Sequence, residues 1–271
     1  MKSTQELDRE YPDVESRANS IVVVVQHPGM ATLHESYGRL PETLENKGYK
    51  RIYVCPMAGQ KLPETMEGFA GLYVDGGIYS LNDHSDQEGI GIQCGLIEDT
   101  LRHEVPLLGV CLGSSLLARV LGAEVYRHPS GLGECGYRLI TPTEAGKWLI
   151  PEPMYGHAWH REGPAVAAGA TLLAKSELFN HAYVYGGRSW GLQFHPEVTA
   201  RMLRRWLLIM PPEDYTFPGA DAFSKQVQDS KIYDAGMADW FDNFVDVWLQ
   251  RKTELHETLG KSKSEVTTKQ Q

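Results

Sequence analysis

The sequence contains 271 residues, of which 42% are hydrophobic and 23% are charged, and its formal net charge is −9 at pH 7. This length and apolar content suffice for one large α/β domain with a modest addition. The negative charge leaves no basic stripe to neutralise phosphates, which excludes a nucleic-acid-binding function. Residues 1–20 are polar and charged and contain neither a signal peptide nor a membrane-spanning run, so the sequence predicts a cytoplasmic protein without membrane contact.

The cysteines and histidines show no strong metal-binding pattern. The four cysteines are spaced too widely for a zinc knuckle and are too few for a secreted disulfide scaffold, so we expect reduced thiols. The ten histidines include no H-E-x-x-H motif. His157 and His160, three positions apart, leave a metal site open as an alternative, but we predict no metal. The cysteines are Cys55, Cys94, Cys111 and Cys135.

The N-terminal part of the chain alternates between strand-like and helix-like segments. Residues 1–19 are charged with little apolar content and predict a mobile arm. Residues 21–25 form a continuous β-branched run, which is typical of a central parallel strand buried on both faces. A loop through residues 27–29 leads to a helical region broken near Pro41, and residues 51–54 supply another strand.

A diglycine pair follows the next predicted strand. Residues 71–80 indicate a strand that ends in a loop containing Gly76 and Gly77. Backbone N–H groups at such a pair can face a ligand without obstruction by side chains, although an ordinary tight turn is the alternative. Residues 92–103 then predict an amphipathic helix that leads back into another strand.

That strand runs into a helix through a single cysteine. Residues 107–110 are apolar, a helical pattern follows, and Cys111 lies on the turn between Gly109 and Gly113. Gly-x-Cys-x-Gly is the cysteine version of the turn that lifts a nucleophile above a sheet. The helix beginning at Leu112 would direct its free N–H groups and positive dipole end at the sulfur, favouring a thiolate. A buried cysteine that serves only as a small core residue is the alternative.

A histidine and a carboxylate complete a second motif. The strand-like run from residue 190 ends at His195, and Glu197 follows two positions later. A histidine can accept the thiol proton, and a nearby carboxylate can hold its imidazole in the required tautomer. Together, Gly109-Val-Cys-Leu-Gly113 and Gln193-Phe-His-Pro-Glu197 resemble the motifs of class I glutamine amidotransferases, over about residues 21–206.

The resemblance implies both a fold and catalytic roles. The fold is α/β and flavodoxin-like, with a mostly parallel central sheet flanked by helices and a small antiparallel side sheet built from segments between residues 137 and 194. Cys111 would be the nucleophile, His195 the general base and acid, and Glu197 the orienting carboxylate. The backbone N–H groups of Gly77 and Leu112 would stabilise the oxyanion, and the substrate would lie beside Gly76.

One recognition residue departs from the family pattern. Ser115 occupies the position at which most members have a glutamine that holds the α-amino acid end of the substrate, and serine is too short to span the same gap. Either Glu134 or His160 compensates, or the substrate is not free glutamine. His160 belongs to a Trp-His segment that resembles the family's Trp-His-Gly-Asp, and a structural, hydrogen-bonded histidine is its alternative role.

The chain divides into four predicted parts. A mobile arm (1–19) precedes the amidotransferase-like domain (20–206). A helical extension (207–259) has an apolar face that packs onto this domain, with contact to another protein as the alternative. Residues 260–271 form a polar tail.

These features predict hydrolysis of a γ-glutamyl amide through a cysteine thioester, without a cofactor. The substrate is glutamine or another γ-glutamyl amide. Because the sequence contains no P-loop or other nucleotide motif, we expect a separate synthetase to accept the ammonia. One alternative is a free-standing γ-glutamyl hydrolase or transferase that acts on a peptide or a different amide. A second is a catalytically silent scaffold of the same fold.

Overall fold

The structure, a computed structural model, describes residues 11–26, 38–84 and 87–250. Most of the predicted arm, the loop at 27–29 and the polar tail at 260–271 lie outside the described residues. The described end of the arm is packed against the domain, since the Tyr11 hydroxyl donates a hydrogen bond to the Lys61 carbonyl at 2.6 Å and the Arg17 guanidinium lies 4.9 Å from the centre of the Phe69 ring.

The described residues form eleven strands and six α-helices. The strands are β1 (Ser20–Val24), β2 (Lys50–Val54), β3 (Gly71–Val74), β4 (Leu107–Val110), β5 (Val125–Arg127), β6 (Glu134–Pro142), β7 (Met154–His160), β8 (Glu162–Pro164), β9 (Ala170–Lys175), β10 (Asn180–Tyr185) and β11 (Ser189–Leu192). The helices are α1 (Val14–Arg17), α2 (Leu40–Asn46), α3 (Glu88–Arg102), α4 (Leu112–Val120), α5 (Ala200–Ile209) and α6 (Phe223–Trp248).

Nine strands form one sheet in the order β2-β1-β3-β4-β11-β10-β9-β6-β7. The first five strands in this order run parallel to one another, and the remaining ones pair antiparallel. A separate two-stranded antiparallel sheet is made by β5 and β8. The predicted fold class is therefore confirmed. The antiparallel strands nevertheless extend the central sheet, because β11 pairs parallel with β4 on one side and antiparallel with β10 on the other.

The local sequence explains the central elements. All five positions of β1 are buried, as a β-branched strand covered on both faces requires. Pro41 lies in the first turn of α2, which begins at Leu40. A proline is tolerated there because the first N–H groups of a helix have no intrahelical partner. The part of the predicted helical region before residue 38 lies outside the described residues.

The long helix α6 covers one face of the sheet with aromatic side chains. The Phe244 ring lies 5.4 Å from that of Trp190 in β11, and the Trp240 ring lies 5.5 Å from that of Phe194, between ring centres. The five residues predicted to form its apolar face are all buried; they are Trp240, Phe241, Phe244, Val245 and Trp248. None of the helices in the described residues is long and apolar enough to cross a membrane.

Truncation of an aromatic residue on the buried face of α6 tests this packing. Phe244 is 1% exposed, so we expect Phe244→Ala to lower the free energy of unfolding by about 3–5 kcal/mol through lost burial and a residual cavity. Denaturant unfolding measures the change. Ile232→Ala is the matched control on the same helix, because Ile232 is 61% exposed and its loss should change stability by about 0.5 kcal/mol or less. Equal losses in the two variants would contradict the packing.

Candidate active site

Cys111 lies where β4 turns directly into α4. Its backbone has φ 51° and ψ −105°, a conformation that is rare for a residue with a side chain. The turn is tight, because a Cβ atom on Gly113 would lie 2.1 Å from the Val74 carbonyl oxygen. A Cβ atom on Gly109 would lie 2.4 Å from the Gly113 carbonyl oxygen. The two glycines of the motif are therefore required by the close approach of strand and helix.

The strand order gathers the predicted residues at one edge of the sheet. In the parallel part of the sheet, β3 and β11 are the two neighbours of β4. The carboxyl ends of parallel strands meet at one edge, which is where α/β sheets bind ligands. Gly76 and Gly77 follow β3, Cys111 follows β4, and His195 follows β11.

His195 and Glu197 form a buried pair beside Cys111. His195 Nδ1 lies 2.6 Å from Glu197 Oε1, and the two side chains are 6% and 2% exposed. Burial alone would lower the pKa of His195, but the negative charges of Glu197 and of the Cys111 thiolate raise it well above the usual 6.5. This environment favours a positively charged imidazolium at His195.

The diglycine loop contacts both the histidine and the cysteine. A Cβ atom on Gly76 would lie 2.6 Å from His195 Cε1 and 3.3 Å from the Cys111 Cβ, so only glycine fits between the two side chains. A Cβ atom on Gly77 would lie 3.1 Å from Leu112 Cδ2. The Gly76 N–H donates to Asp75 Oδ1 at 2.8 Å. The Gly77 and Leu112 N–H groups donate no hydrogen bond to any residue that the structure describes.

The other residues that were predicted to bind the substrate lie at two different places in the fold. Ser115 is buried one turn along α4, with its N–H donating to the Cys111 carbonyl at 3.0 Å. Glu134 and His160 face each other across β6 and β7. Their side chains meet a third residue, His181, whose Nε2 lies 2.7 Å from Glu134 Oε2. The sequence did not predict this cluster, because its members are far apart in the chain.

Several supporting residues were also missed from the sequence. Gln193 Nε2 lies 3.9 Å from Cys111 Sγ, although Gln193 stands inside the motif and could have been found there. Glu162 accepts hydrogen bonds from the Ser80 hydroxyl at 2.7 Å and the Leu81 N–H at 2.6 Å, which fixes the chain after the diglycine loop. Arg39 donates to the Pro196 carbonyl and pairs with Asp234 of α6. No sequence pattern signals Arg39.

Asp75 is a further buried carboxyl group at this site. It precedes the diglycine loop directly and is 6% exposed. Burial, together with the negative charge of Glu197, raises the pKa of Asp75 from 3.8 to about 7. Asp75 therefore ionises less readily in the folded protein than an exposed aspartate does.

A model of the glutamine amidotransferase class-I family matches residues 52–208, more than half of the chain. The chain belongs to the class-I glutamine amidotransferase family. Members of this family are amidohydrolases or amidotransferases. The family assignment agrees with the fold, because a solved glutamine amidotransferase from Methylobacillus flagellatus superimposes with a TM-score of 0.77 at 25% identity, over 86% of this chain and 94% of that one.

Relatives that are similar to this chain have three different names. A glutamine amidotransferase-like protein of Salmonella typhimurium, YfeJ, is 31% identical over 62% of this chain and 74% of its own length. A GMP synthase of Porphyromonas gingivalis is 31% identical over 51% of this chain, which spans only 27% of that enzyme. Gamma-glutamyl peptidase 5 of Arabidopsis thaliana is 32% identical over 51% of this chain and 57% of its own length.

Replacing Asp75 tests the electrostatics of the amidotransferase-like site. Because its folded-state pKa of about 7 lies above the ordinary 3.8, ionisation destabilises the wild type progressively as pH rises between these values, by up to about 4 kcal/mol. Asp75→Asn keeps an oxygen for the Gly76 N–H and cannot ionise. We therefore expect its free energy of unfolding, relative to the wild type, to rise between about pH 5 and about pH 8.

Denaturant unfolding of both proteins at the two pH values measures this difference. Asp83→Asn is the control, because Asp83 is exposed, with 54% of its side-chain surface accessible. Its difference from the wild type should be similar at both pH values. A difference for Asp75→Asn that does not change with pH would contradict the raised pKa.

Proposed function

We propose that the protein hydrolyses the side-chain amide of glutamine, or of a related γ-glutamyl compound, through a thioester on Cys111, and that a separate enzyme accepts the ammonia. The observation that carries this proposal is the meeting of three groups at one sheet edge: the strained cysteine turn, the buried His195–Glu197 pair and the diglycine loop. Membership of the class-I glutamine amidotransferase family supports the same chemistry.

In the first half-reaction, the Cys111 thiolate adds to the amide carbon and forms a carbon–sulfur bond. The carbonyl π electrons move onto oxygen and give a tetrahedral oxyanion. The imidazolium of His195 then protonates the amide nitrogen, the carbon–nitrogen bond breaks, and ammonia leaves. Glu197 holds the Nδ1 side of the ring at 2.6 Å, which keeps Nε2 for proton transfer.

In the second half-reaction, neutral His195 removes a proton from water as the water oxygen adds to the thioester carbon. A second tetrahedral oxyanion forms, the carbon–sulfur bond breaks, and the thiolate leaves. The products are a γ-carboxylic acid, which then loses its proton to solvent, and the thiolate–imidazolium pair of the starting enzyme. The N–H groups of Gly77 and Leu112 are proposed to donate to both oxyanions, at about 3 kcal/mol of barrier lowering for each donor.

The separate ammonia acceptor is part of the proposal. The match to GMP synthase covers 27% of that enzyme, and this sequence contains no P-loop motif for nucleotide-driven amination. An acceptor in another chain would provide the amination step. Glutaminase turnover that rises on addition of such a partner would support this part of the proposal independently of the thioester chemistry.

A second candidate function is hydrolysis or transfer of the γ-glutamyl group of a peptide or of another amide. Two observations favour it: the buried serine at position 115 and the 32% identity to gamma-glutamyl peptidase 5. The thioester chemistry is the same in both candidates. They differ in the group that occupies the α-amino acid end of the site and in the amine that leaves.

Substitution of the proposed triad tests the chemistry. We expect Cys111→Ala to lower kcat for ammonia release from γ-glutamyl amides by at least about 10³-fold, His195→Ala to be nearly as damaging, and Glu197→Ala to be milder. Cys111 is buried, but the substitution removes only one sulfur atom, so Cys111→Ala should cost less than about 2 kcal/mol of stability. Glutamate and ammonia release under steady-state conditions measures the activity.

Cys94→Ala is the control, since Cys94 is a half-buried thiol on α3, away from the strand ends. It should retain wild-type activity. Activity retained by Cys111→Ala would refute Cys111 as the nucleophile. Absence of activity from the wild type with every γ-glutamyl amide in a panel would leave a catalytically silent scaffold.

Ser115→Gln separates the two candidate functions. If free glutamine is under-anchored at its α-amino acid end, the longer side chain should lower its KM with little change in kcat. One or two added hydrogen bonds of about 0.5–1.5 kcal/mol each would improve kcat/KM by about 2- to 150-fold. Ser115→Ala, which adds no amide, should not improve it.

Kinetics of both variants and the wild type with glutamine and with a γ-glutamyl peptide decide between the candidates. A wild type that prefers the γ-glutamyl peptide would favour the second candidate. A wild type that already binds glutamine tightly and is impaired by Ser115→Gln would favour glutamine-dependent amidotransfer.

A further inference from the structure

Three potential metal ligands converge in the interior beside the proposed active site. Glu134 on β6, His160 on β7 and His181 on β10 are all buried. One ligand atom from each can be chosen so that all lie within 4.8 Å of one another. Glu134 Oε2 is 2.7 Å from His181 Nε2 and 3.3 Å from His160 Nε2. Two imidazole nitrogens therefore face one carboxylate oxygen.

Within the described part of the chain, the buried carboxylate of Glu134 has no cationic side chain to pair with. Among the residues that the structure describes, Glu134 forms ion pairs only with these two histidines and with no lysine or arginine. A buried carboxylate that faces two imidazole rings and no cationic side chain suits a metal cation.

Hydrogen bonding within the cluster is incomplete. Neither nitrogen of His160 has a hydrogen-bond partner among the described residues, and His181 Nδ1 also lacks one. Buried polar atoms normally have a hydrogen-bond partner, and a network that served only to hold the fold would be expected to satisfy them. His181 Nε2 already hydrogen-bonds Glu134 Oε2 at 2.7 Å, so a cation would relieve the unpaired His160 Nε2.

A local irregularity of the backbone turns His181 toward the cluster. Asn180 pairs with Lys175 and Ala182 with Ala174, so His181 is an extra residue in β10 opposite β9. Such a bulge re-aims a side chain relative to a regular strand. Regular register places Glu134 directly opposite His160, whereas the bulge brings in the third side chain from a strand that does not pair with either β6 or β7.

We propose that Glu134, His160 and His181 bind one Zn²⁺ ion. Two neutral imidazoles and one carboxylate are a common zinc ligand set, with a fourth position left for water. Tetrahedral ligands at about 2.0–2.1 Å from zinc lie about 3.3 Å from one another. The separation of His160 Nε2 from Glu134 Oε2 is already 3.3 Å. The His181 Nε2 separation of 2.7 Å needs only a small outward movement of its ring.

The zinc site adjoins the proposed thioester chemistry without sharing its residues. The carbonyl oxygen of Trp159, immediately before His160, lies 3.8 Å from Cys111 Sγ. The N–H of Gln193, whose side chain also approaches that sulfur, donates to the His181 carbonyl at 2.8 Å. The ion would therefore fix two backbone segments that flank the nucleophile. Glu134 and His160 would act as ligands and would not contact the substrate directly.

Titration of the full, chelator-treated protein with Co²⁺ tests the site, because bound Co²⁺ gives visible absorption bands that Zn²⁺ removes by competition. We expect one Co²⁺ per chain in the wild type and in Cys111→Ala, which excludes a thiolate ligand. His181→Gln and Glu134→Gln should bind at least about 100-fold more weakly. Zn²⁺ should also raise the thermal unfolding midpoint of the wild type and not that of His181→Gln.

His103→Gln is the matched control, because His103 also lies beside a carboxylate, with its Nδ1 3.4 Å from an Asp99 oxygen, but on the surface of the fold. It should bind like the wild type. If Glu134→Gln fails to fold, as judged by circular dichroism, His160→Gln replaces it. Lack of stoichiometric binding by the wild type, equal binding by His181→Gln, or loss of binding in His103→Gln would each overturn the proposal. A raised KM for glutamine in Glu134→Gln, without metal binding in the wild type, would instead indicate a direct substrate contact.

Discussion

The turn at Cys111 is the constraint around which the rest of the site is arranged. Its φ of 51° and ψ of −105° are of the kind that costs about 1–3 kcal/mol and persists only when the surrounding structure enforces it. Here β4 is held between two parallel neighbours, and α4 is buried over most of its length. The sheet and helix cannot relax the turn without breaking their own packing, so the sulfur is kept at the helix N-terminus.

Burial of charge around that turn has opposite effects on neighbouring groups. Burial alone would lower the pKa of His195, but the negative charge of Glu197 raises it, whereas burial and the same negative charge together raise the pKa of Asp75 to about 7. In a region from which water is excluded, each charge influences its neighbours more strongly than at the surface. Strong charge interactions of this kind act at two adjoining places. At the proposed thioester site the imidazolium of His195 balances a negative charge, and at the proposed zinc site the metal ion balances the carboxylate of Glu134.

The C-terminal helix α6 contacts the segment that carries His195 and Glu197. Arg39 contacts the Pro196 carbonyl and Asp234 of α6 together, and Trp240 of the same helix packs against Phe194, next to His195. The residues predicted to form a helical extension therefore help to hold the segment that carries the histidine and the orienting carboxylate. Loss of α6 would affect the position of His195 as well as the stability of the domain.

The sequence by itself determined the strand–cysteine–helix turn, the histidine–carboxylate pair and the diglycine loop, because each depends on residues close together in the chain. It also determined the buried face of α6, since helical periodicity is local. The strand order β3-β4-β11 brings Gly76, Cys111 and His195 together. The family resemblance implied this order, but the spacing of residues along the chain could not predict it. Only the tertiary structure decided that Glu134, His160 and His181 meet, that Asp75 is buried beside Glu197, and that Arg39 links α6 to the His195 segment. Those contacts join distant parts of the chain through sheet order, a single bulge in β10 and helix packing, and these are set by the competition of all side chains for burial.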